Sequence, residues 1–350
     1  MANTSETRTY DALLSTTLEN WAKGMEDEIT TSNFFYHMLK KSNSWVPVTA
    51  LGERCKFSLR YANGNADSYS NYDILDTTPM DGITAGFYDW HQLSVPIGIS
   101  RMEERKNSGE FQMLDLLEEK TEQARSGILE KFNKAFLQGN GINTATAITT
   151  KYTSTINAST FFSPLALLVG QTPSANTIGS IAASNAWWQN QKSAATDTNY
   201  ASFMKDLSKL RNDCTKGVNG PPTMHLCDQA IFEFYEAALR SQNQFIDYKR
   251  ADIPFENILF HGAPVNWDEF MPNWSGATTV QSTTQGSWVM LHGKHIQVKY
   301  DAQTNFITSP FIRPENQDAK TAQILWYGTS GVNNRRKHGV LSDINTTLTS

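Results

Sequence analysis

Cysteine is scarce: Cys55, Cys214 and Cys227 are all that 350 residues contain. Three thiols are too few for a disulfide framework, and small core residues made in a reducing cytoplasm are the simpler reading. No apolar run approaches the ~20 residues a membrane-crossing helix needs, and the polar stretch 1–10 lacks the apolar segment of a secretory signal. Membrane and secretory roles therefore find no support. Basic charge is short too: 30 Lys and Arg against 35 Asp and Glu leave a formal charge of -5. That is the wrong sign for a reader of nucleic acid, whose phosphate contacts need clustered cations. The dense basic run is Arg335-Arg336-Lys337-His338.

Signatures of chemistry are also missing. The chain has no Gly-x-Gly-x-x-Gly, P-loop, nucleophile elbow or zincin motif. His225-Leu226-Cys227 with the distant His292 and His295 comes nearest to a metal set. Lys294 stands between the last two and would repel a cation, so these read as turn and core histidines. Asp268-Glu269 and Glu103-Glu104 are adjacent carboxylates, a common surface pattern that does not make an acid and base pair. A structural protein is expected, not an enzyme, with no catalytic, cofactor or metal residues.

What the chain does have is polar and aromatic bulk. Charged residues are 19% and aromatics 11%, with 9 Trp among them. Trp and Tyr are enriched and Lys and Glu depleted where proteins meet, so this mixture suits contacts between subunits better than the surface of a monomer. The length allows one elaborate domain or two ordinary ones.

Near the N-terminus, Asp11 can cap a helix on which Leu14, Leu18, Trp21, Met25 and Ile29 return at helical spacing. Gly24 costs such a helix about 1 kcal/mol relative to Ala, so its apolar stripe needs a surface to dock on. Residues 56–61 alternate as a strand, and Leu93, Val95, Ile97 and Ile99 alternate as the returning strand. Between them lies a polar excursion, 62–86, with turn formers such as Asn63-Gly64 and Thr78-Pro79. It also carries Tyr69, Tyr72, Ile74 and Leu75. Connections this long are uncommon in compact domains unless functional or disordered, and the aromatic content speaks against disorder. Such a loop calls for a neighbouring subunit to cover it.

Residues 110–138 give the strongest helical signal, with no Pro and with Leu114, Leu117, Thr121, Ala124, Ile128, Phe132 and Phe136 along one side. At 1.5 Å per residue this spine helix would be about 40 Å long. Gly139-Asn140-Gly141 is a plausible stop. Residues 142–195 give no clear assignment. A helix over 200–216 carries Phe203, Leu207, Leu210 and Cys214; a strand follows at 223–226; Asp228 can then cap a helix with Ile231, Phe232, Tyr235 and Leu239. Strands are expected at 258–260, 265–267, 288–291, 296–300 and 323–327, with a hairpin turn at Gly328 to Gly331 leading into 335–341. The sum is an α+β protein with helices packed on a sheet.

In this order, arm, extended loop, spine helix, α/β region and closing hairpin resemble the Hong Kong 97-type fold of tailed-bacteriophage major capsid proteins. Local wording adds to the resemblance. It includes Thr9-Tyr10-Asp11-Ala12-Leu13-Leu14 ahead of Trp21, and Tyr72-Asp73-Ile74-Leu75-Asp76-Thr77-Thr78-Pro79 ahead of Tyr88-Asp89-Trp90. Pro310-Phe311-Ile312-Arg313-Pro314 and Arg335-Arg336-Lys337-His338-Gly339-Val340 extend it over nearly the whole chain.

The resemblance implies an N-terminal arm (1–50), an extended β-loop (51–100), a peripheral domain with the spine helix (101–170 and, returning, 301–350) and an axial domain (171–300). It implies self-assembly as hexamers and pentamers into an icosahedral shell around double-stranded DNA, in a virion assembled in the host bacterial cytoplasm. Leu14, Leu18, Trp21 and Met25 on the arm and Tyr69, Tyr72 and Ile74 on the loop are the expected inter-subunit contacts. The partners implied are further copies of the chain, a separate scaffolding protein, a portal and a decoration protein. Packaged DNA would be touched without specificity, and no membrane is involved. Some members join subunits by a Lys to Asn bond from the loop, but no lysine lies between Lys56 and Lys106. Two rival readings are an encapsulin-type compartment shell and an aromatic-rich carbohydrate-binding or hydrolytic protein.

Overall fold

The computed structural model describes residues 34–75, 77–106, 110–137, 163–174, 177–195, 199–217, 220–241, 258–268, 271, 274–275, 278–281 and 285–345. In chain order, helix α1 (Phe34–Lys41) leads into strand β1 (Trp45–Val48). Strands β2 (Cys55–Arg60) and β3 (Ile83–Tyr88) follow, then β4 (His91–Ser100). Helices α2 (Arg101–Lys106), α3 (Glu110–Leu137) and the short α4 (Leu165–Leu168) come next, before β5 (Gln191–Ala194). Helix α5 (Tyr200–Thr215), strand β6 (Met224–Cys227) and helix α6 (Gln229–Ser241) form the α/β stretch. Strands β7 (Ile258–Phe260), β8 (Ala263–Trp267), β9 (Trp274–Ser275), β10 (Thr278–Gln281), β11 (Gln285–Leu291) and β12 (Ile296–Asp301) lead on to β13 (Ile307–Thr308), β14 (Ala319–Val332) and β15 (Gly339–Asn345). The α+β class expected from sequence is what these elements make.

The described strands fall into two large sheets. In the first, the long β14 lies in the middle: β4 runs antiparallel along one edge, while β12 and β13 share the other, with β1 parallel beyond β12. Helix α3 packs over this sheet because Thr121, Ala124, Ile128, Phe132 and Phe136 recur at steps of three and four and are all buried, while Glu122, Ser126 and Glu130 face outward. Phe132 meets Trp45 and Trp326 edge-on, at ring separations of 5.7 and 5.2 Å. The second sheet has the order β5-β15-β11-β6-β8-β7. Its apolar core joins Phe203, Leu207 and Leu210 of α5, Ile231 and Tyr235 of α6, and Trp288 of β11. Helix α5 starts where the Asn199 side chain accepts the Ser202 N–H at 2.9 Å, a regular N-cap.

Two sequence expectations are corrected. The strand returning to β2 is β3, with Cys55 opposite Tyr88 and Arg60 opposite Ile83, whereas Leu93 to Ile99 lie in β4 beside β14. β3 holds Ala85 and Gly86, which blur its alternation. β4 alternates cleanly because Leu93 and Ile97 point into the main core, and Pro96 is tolerated there because the strand is an edge. The second correction is at Gly328 to Gly331, which continue β14 instead of turning. These glycines make room: a Cβ on Gly331 would lie 2.7 Å from the Phe57 ring, and one on Gly328 would strike Trp326. The passage to β15 is a single turn of 3-10 helix at Arg335–Lys337, and β15 enters the other sheet, so the two strands form no hairpin.

Candidate functional site

Strands β2 and β3 form a two-stranded ribbon that stands apart from both sheets. Alternation sets its two faces: Cys55, Phe57 and Leu59 are buried while Lys56, Ser58 and Arg60 are exposed. The buried face is pinned to the body. Phe57 fills the space over Gly331 and stacks under the Lys299 ammonium, 3.9 Å from the ring centre. The Lys299 ammonium also donates to the Lys56 carbonyl at 3.1 Å. The Tyr88 hydroxyl donates to the Val332 carbonyl at 3.2 Å and accepts the Val332 N–H at 3.3 Å. At the ribbon's outer end, Tyr61 stacks on Trp187 at 4.8 Å and donates its hydroxyl to the Asp81 carbonyl at 2.6 Å.

Beyond this anchored base the chain leaves the body. The described residues of 61–82 carry no regular element; a turn is held where the Ser70 N–H donates to the Asp73 carboxylate at 2.7 Å. Tyr69 is 70% exposed, and Tyr72 and Ile74 are each 99% exposed. Leu75, Met80 and Ile83 are also exposed. Soluble monomers rarely expose so many large apolar side chains within one short segment. Of the seven residues expected to touch a neighbour, Tyr69, Tyr72 and Ile74 are thus placed together on one projecting loop. Leu14, Leu18, Trp21 and Met25 lie outside the described residues. Met80 and Ile83 are exposed further along the same excursion, at its return to the ribbon; the misplaced returning strand hid this from the sequence.

The basic run at the end of β14 is divided by the fold. Arg335, Lys337 and His338 are buried, and Arg336 alone of the four is exposed. Arg335 donates to the Leu168 carbonyl at 2.9 Å and to the Asn190 side-chain oxygen at 3.0 Å, tying three distant segments together. Burial lowers its pKa to about 10. The Lys337 ammonium donates to the carbonyls of Thr215, Lys216 and Gly220 at 3.2 to 3.4 Å, closing the C-terminal end of α5.

The histidines named from sequence are core side chains. His225 is 1% exposed and its Nδ1 accepts the Trp288 indole N–H at 3.3 Å. His292, His295 and His338 are buried near one another, and the His338 Nδ1 accepts the His292 backbone N–H at 3.2 Å. Burial, with the neighbouring cations and histidines acting in the same direction, lowers His225 and His338 to about 3. Among the described residues no three His, Cys, Asp or Glu side chains gather as metal ligands would.

No family model and no curated protein matches the chain. Solved structures do. The cyanophage A-1(L) capsid asymmetric unit matches with a TM-score of 0.58 at 12% identity, covering 85% of this chain and 90% of that chain. The capsid of the native GTA particle matches with a TM-score of 0.53 at 13% identity, over 87% and 89% of the two chains. The satellite phage P4 procapsid, which includes the size determination (Sid) protein, matches with a TM-score of 0.50 at 12% identity and covers 98% of each chain. At such identities the likeness concerns the fold. The chain therefore shares the fold of these capsid chains.

Proposed function

We propose that this chain is a shell-forming structural protein, the major capsid protein of a tailed bacteriophage with Hong Kong 97-type architecture. The observation that carries the reading is the projecting loop, whose Tyr72 and Ile74 are each 99% exposed. Full burial of such side chains against a neighbour stabilises by about 1.5–3 kcal/mol each, and buried aromatics carry a large share of interface energy. In this reading the sheet around β14 with α3 is the peripheral domain, and the sheet around β11 is the axial domain. Residues 1–50 are the arm, joined to the peripheral sheet through β1. Strand β15, in the returning segment 301–350, is bonded to β11 and so ties the two domains together.

The same reading takes the subunits as hexamers and pentamers that enclose double-stranded DNA. Its further partners are a scaffolding protein, a portal and a decoration protein. The test is electron microscopy of the purified protein, alone and with a candidate scaffolding protein, beside the variant Tyr69→Ser/Tyr72→Ser/Ile74→Ser. Closed particles are expected from the wild type, and from the variant a subunit of unchanged melting temperature that assembles at least ten-fold less. Wild-type shell yield in the variant would defeat the loop's role. Mass spectrometry and nuclease protection of the contents separate a DNA container from a protein compartment.

A further inference from the structure

A cleft of about 380 Å³ opens at the root of the loop, lined by Arg60, Tyr61, Asn63, Lys216, Arg336 and Lys337 among others, none of them acidic. Three elements supply the cations: the last residue of β2, the end of α5 and the turn between β14 and β15. They are not equally available. The Lys337 ammonium is spent on carbonyls, and Lys216 is answered by Asp213 at 2.6 Å. Arg60 gives one N–H to the Asn63 side chain at 3.0 Å. Neither Arg60 nor Arg336 meets a carboxylate among the described residues. Two guanidinium groups therefore line one cleft without a carboxylate partner among the described residues.

The loop that starts at this cleft has the opposite character. From Tyr61 to Trp90 the sequence contains Asp67, Asp73, Asp76, Asp81 and Asp89 and not one Lys or Arg. Of these, Asp89 pairs with Arg54 at 3.1 Å, below the loop. Asp67 and Asp73 stand toward the tip, where the exposure of Tyr72 and Ile74 shows that the loop does not fold back on its own body. Neither Asp67 nor Asp73 pairs with Arg60 or Arg336 of its own cleft among the described residues.

We propose that the cleft receives the acidic loop of a second copy of this chain, so that each subunit's loop is seated at the root of the next one's. This rests on the shell-forming reading above and names the acceptor for its loop. The contact joins two different patches, and repeated head to tail such contacts close into rings. Arginine suits the task because its planar fork takes a carboxylate through two parallel N–H donors. Two free guanidiniums match one or two carboxylates. They are too few for a polyanion, which is held by rows of phosphate contacts.

The test is a charge exchange in the full-length protein. Arg60→Glu/Arg336→Glu and Asp67→Lys/Asp73→Lys should each give folded subunits, checked by circular dichroism and melting, with at least ten-fold fewer closed particles. A chain carrying all four changes restores opposite charges at each contact and should recover assembly to within about two-fold of wild type. Should a reversed variant fail to fold, Arg60→Gln/Arg336→Gln serves instead. It should lower the yield and weaken the salt dependence of assembly, since screening acts over about 10 Å at 0.1 M salt. No recovery in the four-fold variant overturns the proposal, as does wild-type assembly by both arginine variants. If those variants assemble normally while the Tyr69, Tyr72 and Ile74 triple variant does not, the cleft proposal falls and the loop's role stands. Loss of duplex DNA binding with assembly intact would make the cleft a phosphate site and would also overturn it. A wild-type chain that forms no particles takes both readings down together.

Discussion

The buried positive charge that follows β14 is held by backbone carbonyls and one side-chain amide oxygen. Arg335 and Lys337 are buried on carbonyls and an amide, so the run 335–338 fastens segments together where its composition alone reads as a surface cation patch. The histidines beside it are kept neutral by burial, and that has a consequence for pH. Unfolded, His225 and His338 titrate near 6.5; folded, they resist protonation down to about 3. Above pH 6.5 both states are neutral and the stability is whole. As pH falls from about 6.5 towards 3, the unfolded chain binds protons that the fold refuses, and stability is lost at up to about 1.4 kcal/mol per pH unit for each histidine. His295, also lowered by burial, adds in the same direction. Urea midpoints of the subunit should therefore drop between pH 7.5 and 5.5, and His338→Gln should flatten the slope. A midpoint that does not move over this range would contradict the burial of these rings.

Among the elements, α3 is the one whose register the core depends on. Ile128 is 1% exposed in the layer that contains Phe132, Phe136 and Trp326. A carboxylate placed there either loses its hydration, at several kcal/mol, or stays protonated with a raised pKa. Ile128→Asp should yield insoluble protein or a subunit without a cooperative melting transition, whereas Glu122→Ala on the exposed side should melt as wild type. Soluble, cooperatively melting Ile128→Asp would mean that this face is not core. The ribbon β2–β3 depends on a different device. Its alternation supplies Phe57 and Leu59 to the body, but only the missing side chain at Gly331 lets Phe57 and Tyr88 seat. Helix α3 was legible in sequence because a stripe repeated over many turns is a strong signal. The ribbon was half legible: β2 alternates, while β3 owes its place to pairing with β2 and carries little pattern of its own.

At the scale of the molecule, the free thiols Cys55, Cys214 and Cys227 are all buried, and the loop has no lysine to form an isopeptide. A shell built from this chain is therefore expected to be held without covalent links. Denaturing, non-reducing electrophoresis of mature particles should give one band at the mass of the single chain, and a ladder of oligomers would overturn this. The lattice must then rely on buried area, and a standard interface buries only about 1,600 Å². A projecting loop widens each contact beyond its own body's outline, which accounts for surface that would be a liability on a monomer.

The sequence by itself determined the α+β class, the spine helix, the two helices flanking β6 and the existence of an apolar loop too long for a compact domain. These follow from local periodicity and composition, which each segment carries without help from the rest. Only the tertiary structure decided which strand returns beside β2, that β14 runs straight through its glycines, and that three of four residues in a basic run face inward. It also set Arg60 and Arg336, far apart along the chain, in the lining of one cleft. Each of these depends on what lies opposite in space, and such partners are tens to hundreds of residues away along the chain.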